Sequence, residues 1–125
     1  MIVNDALPEL AVATGVNVNA TGDQAVLPII NSTNYSVSNV IFTNASTSLS
    51  SAAAGVWTAP TKQGNNIVAN AALSGNTSSA VVSQATVAST NTQSSQNLYV
   101  NVGTAQGAAA TVDVYVYGYD FSVSN

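Results

Sequence analysis

Residues 111–121 read Thr-Val-Asp-Val-Tyr-Val-Tyr-Gly-Tyr-Asp-Phe, and no other stretch limits the fold as much. Side chains here alternate with the two-residue period of a β-strand. Val112, Val114 and Val116 fall on one face. Asp113, Tyr115, Tyr117, Tyr119 and Phe121 fall on the other. A strand with one solvated face is polar at alternate positions, whereas both faces of this one are apolar or aromatic. The valine face is expected to line the domain's own core. The tyrosine face is expected to meet a second sheet or a neighbouring subunit, because tyrosine offers large contact area while its hydroxyl keeps a hydrogen bond. Two arrangements compete with this. The rings could lie on a monomer's open sheet, where isolated surface aromatics are ordinary, or they could fill the core with the valines outside.

The rest of the chain repeats the pattern in shorter pieces. Strands are expected near residues 24–30, 35–43, 66–73, 79–87, 97–103 and 111–121, with a clean alternation at 15–19 and a short strand at 56–58. Turns rich in Gly, Asn, Asp and Ser separate them, at 20–23, 31–34, 61–65 and 74–77. Pro28 interrupts its ladder and marks an edge strand or a bulge. In residues 35–43 the alternation sets Val37 and Ile41 against Val40 and Phe42. In residues 66–73 it sets Ile67, Ala69, Ala71 and Leu73 on one face; alanine also favours helix there, and strand is preferred. Residues 44–55 are low in complexity and too short for an independent helix, so they read as a loop. Residues 88–96 are polar and read as an exposed loop. Leu98, Val100 and Val102 are expected to point inward, in a strand forming an antiparallel hairpin with the last one.

About eight short antiparallel strands without a strong helix indicate an all-β, single-domain β-sandwich, with a jelly roll as the simplest eight-strand solution. No repeat of fixed period suggests a solenoid or propeller. Residues 15–121 form the expected sandwich. Residues 1–14, with Pro8 and the apolar patch at Leu10 and Val12, read as an extended arm that lies along a neighbour or the shell surface and orders on binding. Residues 122–125 read as a fraying tail.

Composition narrows the function. Charged residues make up 5% of the chain, against roughly 25% in ordinary soluble domains. Lys62 is the sole cation and the net charge is −4. Nucleic-acid binding needs several Lys or Arg to neutralise phosphates, and anionic membranes need the same. Neither partner is expected. No apolar run approaches the span of about 18 residues that crosses a bilayer, and the N-terminus lacks the features of a Sec-type signal peptide. Synthesis in a cytoplasm follows as the expectation. A surface of Asn, Ser and Thr has little charge repulsion to keep copies apart.

Chemistry-bearing groups are sparse. Histidine and cysteine are absent, which removes the commonest general base, disulfides and thiolate metal sites. The acids are Asp5, Glu9, Asp23, Asp113 and Asp120. Asp113 and Asp120 lie at an odd spacing on one strand and so face opposite ways, unlike a paired-carboxylate site. No loop has the clustered oxygens of a calcium site, and the abundant hydroxyls have no activating base. No catalytic, cofactor or metal residue is assigned, and an enzyme is not expected. Sequons such as Asn31-Ser32-Thr33 arise by chance in a chain this rich in Asn, Ser and Thr. Trp57 beside a turn could be a sugar-stacking platform; a core residue beside Val56 is the preferred reading.

Residues 43–49, 53–59, Lys62, residues 67–69 and the long phrase 98–118 together resemble small structural proteins of tailed bacteriophages and prophages. The likeness covers about half the chain and leaves out residues 1–20. It implies a virion component, and decoration (cement) proteins of that kind are often trimeric. By fold-level analogy, the resemblance implies a protein on the capsid exterior, assembled in the host cytoplasm. Its partners would be the major capsid protein and its own copies, as a homo-oligomer, a trimer by preference. Tyr115, Tyr117, Tyr119 and Tyr99, with Leu10 and Val12, are the candidate subunit or capsid interface. The alternative is a tail or head-fibre module that binds host surface glycans; a cell-surface adhesin or carbohydrate-binding domain is a third class.

Overall fold

The computed structural model describes residues 8–80 and 82–122. Among these, eight strands form: β1 (Glu9–Asn17), β2 (Gly22–Pro28), β3 (Tyr35–Thr43), β4 (Ala53–Ala59), β5 (Gln63–Ala72), β6 (Val82–Ala85), β7 (Asn97–Thr104) and β8 (Thr111–Asp120). They make two four-stranded sheets, in the orders β1-β8-β3-β6 and β2-β7-β4-β5. All pairings are antiparallel. The first strand pairs with the last, the second with the seventh, the third with the sixth and the fourth with the fifth. One long hairpin rolled on itself gives this order, which is the jelly roll. Every connection except β4–β5 crosses from one sheet to the other.

The core lies between the sheets. Val112, Val114 and Val116 of β8 face Leu98, Val100 and Val102 of β7, and all are nearly or fully buried. Val40 and Phe42 of β3, Val56 of β4 and Leu27 of β2 join the same cluster. The valine face of residues 111–121 is therefore the core face, and Tyr115, Tyr117 and Tyr119 point out of the sandwich. Pro28 ends β2, an edge strand, where a missing N–H costs no ladder bond.

Several expectations are corrected. Strands β7 and β8 do not form a hairpin: they are central strands of opposite sheets, because residues 105–110 cross between layers. The N-terminal arm gives way to β1 from Glu9 onward. Its apolar run pairs with β8, and Leu10 and Ala11 are buried in the core; residues 1–7 lie outside the described residues, as do 123–125 of the expected tail. A register shift between Val37 and Asn39 turns Val37 to the same buried side as Val40 and Phe42, and leaves Ile41 on the outer face. Similar shifts between β4 and β5 let Ile67 and Val68 both be buried while Ala69 and Ala71 are exposed. Strand β4 begins at Ala53, inside the expected loop, and β6 is shorter than the expected 79–87. Within the polar segment 88–96, Gln93 is buried and bridges to Tyr35.

Candidate functional surfaces

The outer face of the β1-β8-β3-β6 sheet carries a ladder of rings. Tyr115 and Tyr117 stack with centroids 6.5 Å apart and planes 11° from parallel. Tyr119 and Phe121 stack at 6.3 Å and 12°. In register, Val12 of β1 and Ile41 of β3 flank Tyr115, and Glu9 and Asn39 flank Tyr117. Tyr115 and Tyr117 are half-buried by these neighbours, whereas Tyr119 and Phe121 are 52% and 57% exposed. Val12, Ile41 and the rings form the apolar part of this face, with Glu9, Asn39 and Asp113 beside them. Isolated exposed apolar residues are normal; here two exposed rings stand together at the end of the ladder.

Four of the sequence-assigned interface residues thus share one surface: Tyr115, Tyr117, Tyr119 and Val12. The other two do not. Leu10, at 1% exposure, is part of the core, because the register shift between Glu9 and Ala11 rotates it inward. Tyr99 belongs to β7 in the opposite sheet, between Val26 and Trp57. The sequence signal for Ile41 was present in the alternation of β3, which set it apart from Val40 and Phe42.

The outer face of the β2-β7-β4-β5 sheet is built differently. Trp57 is 9% exposed yet stands outside the inter-sheet core cluster. Its six-membered ring lies over Gly55, where a Cβ would come within 2.7 Å of Cη2 and Cζ3. Glycine is what lets the indole lie down on the sheet. Both readings of Trp57 are thereby modified: the ring is covered, but on the outside of the sheet.

One step along this face is an open pocket of about 310 Å³, lined by residues 21–23, 61–62 and 101–103. Asp23 is its centre. Oδ1 accepts a 2.8 Å bond from Nδ2 of Asn101, and Oδ2 accepts a 2.8 Å bond from the backbone N–H of Thr61. Thr61 and Lys62 both have left-handed backbones, with φ of 59° and 61°. A β-branched residue there is a genuine outlier, and the Asp23 bond holds the turn in place. Asn101 is 4% exposed, and its Oδ1 meets no donor. Sequence reading missed this site, because a lone Asp in one turn and a lone Lys in another give no sign that they meet.

The other described aspartates are also engaged. Asp113 Oδ1 accepts the N–H of Gly15 at 2.8 Å, and Oδ2 accepts Nδ2 of Asn44 at 3.1 Å. Gly15 and Asn44 are both left-handed. Asp120 Oδ1 accepts bonds from the hydroxyl and N–H of Ser122 and from the Ser32 hydroxyl. These bonds, those from Ser122 foremost, hold its carboxyl below the ordinary range. Each carboxylate is a tie between distant turns. Among the described residues, no three acidic groups come close enough to hold a metal ion.

A third feature is an apolar cavity of about 330 Å³ between the edge strands β5 and β6, lined by Phe42, Val68, Leu73 and several alanines. The sheets stay open on this side, where small side chains do not fill the gap.

Comparison of the chain with protein-family models, with curated proteins and with solved structures finds no match.

Proposed function

We propose that the protein is a decoration (cement) protein of a bacteriophage head, a jelly-roll module that binds the capsid exterior and clamps neighbouring capsid subunits. The observation that carries this reading is the ring-covered outer face of the β1-β8-β3-β6 sheet. Val12, Ile41, Tyr115, Tyr117, Tyr119 and Phe121 supply an apolar contact surface on a rigid sheet, and jelly rolls serve widely as capsid and lectin domains. A chain with 5% charged residues loses little to charge desolvation when it is packed against a partner. The action is mechanical, with no chemical step. Apolar burial contributes roughly 25 cal/mol per Å² before association costs, and many copies on one shell add their effects through avidity. The same face joins copies of the chain into an oligomer, a trimer by preference, on a particle assembled in the host cytoplasm.

Counting copies on the virion tests this directly. Quantitative mass spectrometry of purified particles, with electron cryomicroscopy to place the density, is expected to find hundreds of copies on the head. A handful of copies at the tail would replace this reading with that of a fibre module, in which the exposed Tyr119–Phe121 pair would stack on host glycans.

A further inference from the structure

We propose that the pocket around Asp23 is a binding site for a neutral saccharide. The site lies on the sheet opposite the ring ladder, so it stands or falls apart from the docking of that ladder on a shell.

The argument starts from donors and acceptors. Asp23 is an acceptor whose two oxygens each take one bond from the chain. A carboxylate has about four lone-pair positions, so each oxygen can accept another donor. Asn101 lines the same pocket. Because its Nδ2 is committed to Asp23, its Oδ1 is oriented as an acceptor, and the protein supplies no donor to it. A buried acceptor in that state calls for a water or a ligand group. Lys62 is on the rim of the same pocket. It makes no ion pair among the described residues, so its ammonium is free to donate. Thr21 and Thr61 complete the lining, with the Thr61 hydroxyl donating to the Pro60 carbonyl.

That set discriminates among ligand classes. A metal cation would gain the Asp23 carboxylate but would meet the Lys62 ammonium in the same small space. An anion would gain Lys62 but face Asp23. Sugar hydroxyls suit both, because each donates one bond and accepts others: adjacent hydroxyls can give to Asp23 and take from Lys62. The apolar side of a sugar ring also needs a wall. Tyr99 stands two residues before Asn101 on β7 and so projects from the same side of the sheet, half-buried between Val26 and Trp57. Aromatic rings provide a surface of this kind with a polar rim. Lys62 lines the pocket from the left-handed Thr61–Lys62 turn, and strain of this sort is often kept where a site needs it.

The test is a titration of the ¹⁵N-labelled protein with the methyl glycosides of glucose, galactose, mannose, rhamnose and N-acetylglucosamine, each to about 50 mM, a range that saturates millimolar sites. At least one sugar is expected to give saturable amide shifts confined to residues 21–23, 61–62 and 99–103. Lys62→Ala, a change at an exposed side chain, is expected to weaken that binding about tenfold without altering the thermal midpoint by more than a degree or two. Tyr99→Ala should weaken it as well. The proposal is overturned by an absence of saturable shifts with all five sugars, by unchanged affinity in Lys62→Ala, or by shifts that map to residues 115–121. The last result would move saccharide binding to the ring ladder.

Discussion

Asp23 and Thr61 are 38 residues apart, and the carboxylate of the first accepts the backbone N–H of the second at 2.8 Å. This bond ties the start of β2 to the β4–β5 turn, at a residue whose φ is 59°. Asp23→Ala should cost about 1.5–3 kcal/mol, the range for a hydrogen bond to a charged group, read as a lower urea midpoint. Lys62→Gly should act the other way. Its φ of 61° suits glycine, and relief of a left-handed backbone is worth about 1 kcal/mol. A Lys62→Gly chain that is less stable than the parent would show that the lysine side chain contributes more to the turn than its backbone costs.

Gly118 marks the closest approach of β8 to its neighbours. A Cβ there would run into the carbonyl oxygen of Ser36 on β3 and come within 2.8 Å of Leu10 Cδ1 on β1. The first of these is backbone and cannot turn aside. Gly118→Ala should therefore destabilise by about 1–3 kcal/mol or more, as overpacking does. Gly107→Ala is the control: its φ is 95° but nothing lies within 4 Å of the added carbon, so its cost is conformational alone. Parallel urea melts should rank Gly118→Ala below Gly107→Ala.

These contacts show what an alternating sequence can and cannot disclose. Period two told inside from outside in β8 and β7, where Val112, Val114, Val116, Leu98, Val100 and Val102 are all core. It did not tell which strands pair, since a strand's faces are local and its partner is not. The hairpin expected between β7 and β8 failed for that reason. Face assignments also failed wherever the register slips, at Leu10, Val37 and Val68, because one extra residue reverses every side chain beyond it. Of the candidate surfaces, the ring ladder was legible because it sits on one strand. The Asp23 pocket was not, because its parts come from β2, the β4–β5 turn and β7, and Asp23 and Asn101 are separated by 78 residues.

Tyr35 provides a test of the core by pH. It is fully buried in β3, and its hydroxyl donates to the Ser95 carbonyl at 2.6 Å. Burial pushes its pKa up to about 12, from an ordinary value of 10.0. The unfolded chain thus gives up this proton before the folded one does. The stabilisation is complete below pH 10 and is lost as pH rises toward 12. Tyr35→Phe should remove that part of the alkaline decline and, at neutral pH, cost about 1 kcal/mol for the hydrogen bond. Urea melts of both chains at neutral pH and between about pH 10 and 12 check the sign; an equal alkaline decline in the two would assign it to other groups.

The proposed contact face makes its own demand on Tyr117. The ring lies on the outer side of β8, stacked on Tyr115 and flanked by Glu9 and Asn39. A carboxylate placed there meets solvent in an isolated chain but becomes a buried, unpaired charge once the face is covered. Tyr117→Asp should therefore fold, with the far-ultraviolet spectrum of the parent. It should dissociate the oligomer and weaken shell binding at least tenfold, a change of about 1.4 kcal/mol. Sedimentation velocity and a shell-binding assay on the same preparation read the two effects separately. Loss of shell binding from a parent that is already monomeric would assign the face to the capsid alone. Unchanged oligomerisation and binding would remove the ring ladder from both contacts.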